Sequence, residues 1–196
     1  MKVIGLTGGV GCGKSTVTDV LKEKYNAHVI QCDVLGHEVL YPSGEAYEPV
    51  VELLGKEILD QSGFIDRGRV AGIVFKDATL LRRMNEIVHP AVIREVERQI
   101  EEQRLKGECD YVVMETALMI EAGMAKCCDV VWYVYANEDV RRVRLKASRG
   151  YTDERIHSVM ASQKSEEEFR AIADFVIDNS GSPIETEKQI IQELGK

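Results

Sequence analysis

No apolar run in this 196-residue chain approaches the roughly 20 residues that a membrane-spanning helix needs, which argues against a membrane protein. No C-x-x-C pair occurs and the four histidines are scattered, so a zinc site has little support. The cysteines (Cys12, Cys32, Cys109, Cys127 and Cys128) are odd in number and the chain opens without a signal-peptide pattern. They therefore read as reduced thiols, and the expected address is the cytoplasm. Positive charge is scarce: 25 Lys and Arg stand against 33 Asp and Glu, a formal net charge of −8. That disfavours general nucleic-acid binding, which calls for a basic surface. An anionic ligand requires a local cluster of bases set against the overall sign. No internal repeat or low-complexity linker is present, and a monomer of one domain is expected.

What is there alternates between two periods. "KVIGLTG", "HVIQCD", "CDYVVMET", "DVVWYVYA" and "ADFVIDN" read as short strands, and their nearly unbroken apolar character is that of strands buried on both faces. Helical spacing follows most of them. "KSTVTDVLKEKY" places Val17, Val20 and Leu21 on one side, "NEDVRRVRLKASRG" and "TDERIHSVMASQ" open with cap residues, and Ser182 and Pro183 open the last helix. From Asp33 to about residue 106 the chain reads as mostly helical, broken by "YPSGE" and "DQSGFIDRG". Asp77 is placed to cap a long helix interrupted or bent near Pro90. Strands alternating with crossover helices imply a three-layer α/β fold around a parallel sheet.

Residues 8–16, "GGVGCGKST", satisfy G-x-x-x-x-G-K-[ST] through Gly8, Gly13, Lys14 and Ser15. Glycines let successive backbone N–H groups turn inward as an anion nest, and the helix that follows aims its positive end at the same place. Lys14 is positioned for the β and γ phosphates and the Ser15 hydroxyl for Mg²⁺, while Cys12 contributes its backbone. A chance match in a chain of this length arises on the order of one time in a hundred, and here a strand precedes and a helix follows. The motif indicates a nucleoside triphosphate without naming the reaction. "DVLG" at 33–36 lies too close to the loop for a GTPase switch and no N-K-x-D occurs, so a small-molecule kinase fits better. Asp33, read at the end of the second strand, is either a carboxylate beside the acceptor hydroxyl or a helix cap.

The local cluster of bases exists. Arg141, Arg142, Arg144, Lys146 and Arg149 occur with no acid between Val140 and Thr152. Arg142 and Lys146 read as a solvated face, whereas Arg144 and Arg149 read as a lid closing on phosphate, where the guanidinium fork binds oxygens in pairs. Glu115, ending the third strand, is either a second-shell Mg²⁺ carboxylate or an exposed strand-end acid.

Taken together these segments resemble the dephospho-CoA kinase family over nearly the whole chain. "IGLTGGVGCGKSTV", "CDVLGHEV", "GFIDRGRVAGIVF", "IVHP" at 87–90 and "ADFVIDNSG" at 173–181 follow that family's motifs in order and spacing. The resemblance implies a P-loop kinase fold over residues 1–196, with a five-stranded parallel sheet, a helical acceptor-binding lobe at about 34–106 and a lid helix at about 141–152. It implies transfer of the γ-phosphate of ATP, with Mg²⁺, to the 3′-hydroxyl of the dephospho-CoA ribose. Gly11, Cys12, Gly13, Lys14, Ser15, Thr16 and Asn179 would hold ATP, with Ser15 on the metal. Asp33 would be the base, Arg67 and His89 would serve the acceptor lobe, and Lys14 and Arg144 would act on the transferring phosphoryl group. Three departures stand out: "ETALMIEAG" carries Glu115 and Ala117 where the family has aspartate and proline, Val159 replaces an arginine for which Arg155 is the available substitute, and Arg149 follows Arg144 by five residues instead of four. Another P-loop small-molecule or nucleoside monophosphate kinase, and a nucleotide-dependent switch without acceptor chemistry, remain as alternatives.

Overall fold

A computed structural model describes residues 1–195 of the chain. It divides into two compact units, one made of Met1–Ile30 with the chain from Ile100 onward, the other of Gln31–Gln99.

The first unit is built on strands β1 (Lys2–Thr7), β2 (Ala27–Gln31), β3 (Tyr111–Glu115), β4 (Val130–Tyr135) and β5 (Phe175–Asp178), in the order β2-β3-β1-β4-β5. β1 runs parallel to both β3 and β4, and β4 parallel to β5, with Ile4 opposite Val113 and Leu6 opposite Trp132. Central parallel strands are covered on both faces, which is why Val3, Ile4 and Leu6 can follow one another almost without a polar break and all be buried. Helix α1 (Lys14–Lys24) and the last helix, α9 (Pro183–Leu194), bury Val17, Leu21 and Ile190 against Ile4, Leu6, Val134 and Ile177.

Two aspartates set the register of the sheet. Asp129 receives the Val3 N–H on its carboxylate at 2.7 Å and donates its own N–H to the Val3 carbonyl at 2.9 Å. Asp174 repeats the device on Val131, at 2.7 and 2.8 Å. Each closes the start of one strand with the residue just before the next, so no backbone donor is orphaned there.

Between β4 and β5 lie α6 (Glu138–Arg149), α7 (Asp153–Ala161) and α8 (Glu166–Ile172). Thr152 caps α7 as expected. Asn137 stands at the cap position of α6 but does not cap it; its amide oxygen accepts the Tyr135 hydroxyl at 2.7 Å instead. Helix α8, closed by a reciprocal Ser165–Glu168 capping box, lies in a stretch for which the sequence suggested no element.

The second unit contains α2 (Cys32–Glu38), α3 (Tyr47–Leu54), α4 (Arg67–Val74) and most of α5 (Ala78–Lys106). Val50, Leu54, Ile58, Val70 and Val74 form its core. Asp66 caps α4 through Gly68 and Arg69, and Asp77 caps α5 through Thr79 and Leu80. The expected interruption at Pro90 does not occur, since α5 is continuous through it. Proline removes only one hydrogen bond of this long helix, and buried Ala91, Val92 and Val96 hold the following turns in place. Among the described residues no helix is long and apolar enough to cross a membrane.

Gly5 marks the tightest point of the sheet. A β-carbon there would lie 2.6 Å from Cys128 Sγ and 2.7 Å from Met119 Cε. Gly5→Ala should therefore cost about 1–3 kcal/mol in urea unfolding, and adding Cys128→Ala, which removes the nearer atom, should restore part of that loss. Equal stability of Gly5→Ala and wild type would refute the packing argument.

Candidate active site

β1 ends in a loop that has almost no side chains with which to hold itself. Gly11 and Gly13 have φ of 78° and 88°, a region open to glycine at little cost. Gly13 stands at the head of α1 and provides no side-chain cap, in contrast to the capped starts of α4, α7, α8 and α9. The positive end of α1 is thereby left for an external anion. Lys14 folds back to donate from Nζ to the Gly8 carbonyl at 2.9 Å, Ser15 is exposed, and the Thr16 N–H reaches the Gly13 carbonyl at 3.1 Å.

The loop's shape comes from residues far along the chain. The Asn179 amide, 2% exposed, donates to the Cys12 carbonyl at 2.7 Å and accepts the Thr186 hydroxyl at 2.7 Å. Arg144 donates to that same Cys12 carbonyl at 3.2 Å and to the Asn179 carbonyl at 2.8 Å. Arg141 donates from Nε to the Val10 carbonyl at 2.9 Å, and Gln163 accepts both the Val10 N–H at 2.9 Å and Arg141 Nη2 at 3.2 Å. Lys14, Arg141 and Arg144 thus meet on one stretch of backbone in a chain of net charge −8. Cys12 is buried, and burial pushes its thiol up, with Lys14 and Arg141 only partly opposing the shift, so the sulfur stays protonated near neutral pH. A cleft of about 300 Å³ opens beside Gly9, walled by Arg141, Gln163, Glu166 and the stacked rings of Tyr133 and Phe169, 5.1 Å apart.

The rest of the basic run is divided between two other places. Arg142 pairs with Glu138 at 2.8 Å and Lys146 with Asp153 at 2.8 Å, both at the surface. Arg149 is exposed and lies 5.9 Å from the Tyr151 ring centre, as does Arg155. Glu115 ends β3 in register with Leu6.

In the second unit Asp33 is not at a strand end. β2 stops at Gln31 and Asp33 is the second residue of α2. Nor does it cap that helix, whose cap position is Gln31 with no side-chain bond. Its carboxylate is exposed. His37, one turn later, shares its face. Burial lowers the His37 pKa, Arg67 lowers it further and Asp33 partly opposes them, so the ring is neutral at physiological pH. Arg67 is the exposed first residue of α4, and His89 lies half-buried within α5.

Arg141 belongs to the basic cluster visible in the sequence, where its spacing of three residues puts it on the helix face of Arg144, but its bond to the loop is not visible there. Gln163, Thr186 and His37 have no such signal in the sequence.

The family model described as dephospho-CoA kinase matches residues 2–185. A dephospho-CoA kinase of Aquifex aeolicus is 41% identical over 97% of this chain and 94% of its own length. Another, from Carboxydothermus hydrogenoformans, is 39% identical over 100% of this chain and 94% of its own. A crystal structure of a Thermus thermophilus protein superposes with a TM-score of 0.82 at 29% identity, covering 98% of this chain and 95% of that one. A parallel sheet whose first strand delivers a glycine nest onto an uncapped helix, in a chain matched almost end to end by that model, leaves one assignment: the chain belongs to the dephospho-CoA kinase family.

Proposed function

We infer that the protein transfers the γ-phosphoryl group of ATP to the 3′-hydroxyl of the dephospho-CoA ribose, giving coenzyme A and ADP. The observation that carries this reading is the convergence of Lys14, Arg141 and Arg144 on the Gly8–Cys12 loop that leads into an uncapped helix start, in a member of this family. Phosphoryl transfer requires little covalent work from the protein and much electrostatic positioning. Gly11, Cys12, Gly13, Lys14, Ser15 and Thr16 offer the backbone nest, Lys14 the charge on the outer phosphates, and Arg144 a guanidinium at the loop's base. Asn179 acts through the loop, because its side chain is committed to the Cys12 carbonyl and Thr186.

Mg²⁺ fits the donor set. Among the described residues no three His, Cys, Asp or Glu gather as a metal cage, and the first turn of α1 offers hydroxyl oxygens at Ser15 and Thr16, of which Ser15 is exposed. That suits an ion which keeps most of its waters and takes its other ligands from phosphates. Bound there, it would neutralise charge on the phosphate oxygens.

Gln31–Gln99 serves as the acceptor lobe in this reading, with Asp33 as general base and Arg67 and His89 binding the acceptor. The exposed end of α6, with Arg149 and its neighbour Arg155, acts as the lid. The odd number of cysteines in the sequence fits reduced thiols, and we place the activity in the cytoplasm.

An acceptor screen that follows ADP release tests the reading. Dephospho-CoA should raise turnover far above the rate with water alone; equal stimulation by AMP would transfer the assignment to nucleoside monophosphate kinases, and no stimulation by either would end it. Lys14→Ala should lower kcat by about 10³-fold, the scale of losing one charge that stabilises the transferring group. Asp33→Asn should lower kcat by about 10²–10⁴-fold, with ATP affinity and melting temperature unchanged because the carboxylate caps nothing. A drop in melting temperature with normal specific activity would make it a structural residue instead.

A further inference from the structure

The crest of the glycine loop is held by a closed triangle of side-chain bonds. The Val10 N–H is donated to Gln163 Oε1 at 2.9 Å, Arg141 Nε donates to the Val10 carbonyl at 2.9 Å, and Arg141 Nη2 joins Gln163 Oε1 at 3.2 Å. Val10 has glycine on either side. The Gly9 carbonyl accepts the Cys12 N–H at 3.3 Å and so closes the turn beneath the crest. The room on either side is fully used. A β-carbon on Gly9 would lie 2.5 Å from Arg141 Nη2 and 3.1 Å from Gln163 Oε1, and one on Gly11 would lie 3.1 Å from Leu145 Cγ.

A loop of this composition has a wide choice of backbone angles when unrestrained. The nest binds an anion only when consecutive N–H groups point the same way. The Val10 N–H belongs to the peptide unit it shares with Gly9 and the Val10 carbonyl to the unit it shares with Gly11, so holding both fixes the rotation of two successive units, and the adjoining glycines then have little left to choose. Gln163 accepts the N–H of Val10 and also bonds Arg141, which donates to the carbonyl of the same residue. Its own position is set from behind: it lies between α7 and α8, and Phe169 of α8 stacks on Tyr133 of β4 at 5.1 Å with an interplanar angle of 12°.

We propose that Gln163 is a positioning residue for ATP, which with Arg141 locks the two peptide units that meet at Val10 so that the phosphate nest is formed before the nucleotide arrives. This rests on the reading that the loop binds ATP. Preorganisation of this kind shows in affinity, because the ordering cost is met on folding instead of on binding.

The first measurement needs no variant. Val10 lies outside any helix or strand, yet its amide should exchange slowly in the nucleotide-free protein, and exchange at the rate of an open loop would overturn the proposal. Gln163→Leu leaves the Val10 donor without its partner, and should speed that exchange and weaken ATP binding by about tenfold or more. The dissociation constant for dephospho-CoA should stay within about twofold in the same variant, a split that general destabilisation would not produce. Gln163→Glu keeps an acceptor oxygen at the same reach and should retain slow exchange and most of the ATP affinity. Arg141→Met combined with Gln163→Leu should be little worse than the weaker single variant, because the two side chains bond each other and hold the same residue. Unchanged ATP affinity in Gln163→Leu, or parallel loss of both ligands together with melting temperature, would dismiss the role. Binding and exchange are measured without turnover. A wild-type protein that binds ATP and fails to phosphorylate dephospho-CoA therefore removes the functional reading alone, and one that binds no ATP removes its foundation.

Discussion

The carbonyl of Cys12 is the point on which the site depends. It receives Asn179 Nδ2 at 2.7 Å and Arg144 Nη1 at 3.2 Å, in a part of the protein from which water is largely excluded. Turning that carbonyl toward two donors fixes the following peptide, whose residue, Gly13, starts α1 with φ of 88°. The helix start can then remain uncapped without collapsing onto its own side chains. An uncapped helix start is ordinarily a cost, since several N–H groups lack partners. Here the cost is retained because a polyanion can satisfy them, and Asn179 and Arg144 keep the loop from satisfying them itself. Asn179 is in turn held by Thr186 of α9, so the last helix of the chain reaches the first loop through two hydrogen bonds.

This arrangement also accounts for how an acidic protein can hold a polyanion. Arg142 and Lys146, on the far side of α6, are paired with Glu138 and Asp153. Arg141 and Arg144, on the near side, donate to backbone carbonyls, which are dipoles and not charges. Their positive charge is therefore not cancelled at close range. At an exposed surface the paired bases contribute little to any long-range field. The partly buried ones, set against backbone in a less polar surrounding, are less screened by solvent.

Much of this was legible in the sequence because it is local. The five strands announced themselves through unbroken apolar runs, the nucleotide loop through glycine spacing, and the caps at Asp77, Thr152 and Ser182 through residue type. What failed did so where one local rule competed with another. Asn137 looks like a cap, but Tyr135 two residues earlier offers its side chain a better partner. Pro90 looks like a break, but neighbouring turns of α5 are held by burial. Helix α8 spans seven residues, too few to display a 3.6 period, although Ser165 and Glu168 spell its capping box. The reach of Gln163 and Thr186 to the loop was out of range altogether. It depends on where β4 and β5 lie in the sheet, and no window along the chain contains that information.

The aspartates show why Asp33 is chemically distinct even though its residue type is common. Asp60, Asp66, Asp77, Asp129, Asp174 and Asp178 each accept backbone N–H groups, and in that way close turns, cap helices or register strands. A carboxylate so engaged has lone pairs committed to the backbone. Asp33 sits close to where such duty was available, at the start of α2, and does not take it up, because the cap position falls two residues earlier, on Gln31. Its close electrostatic neighbour is His37, held neutral by burial and by Arg67. A neutral ring does not bind the carboxylate as an ion pair. Were the helix to begin two residues later, Asp33 would stand at its cap position; as it is, the residue is exposed and its carboxylate has no capping role.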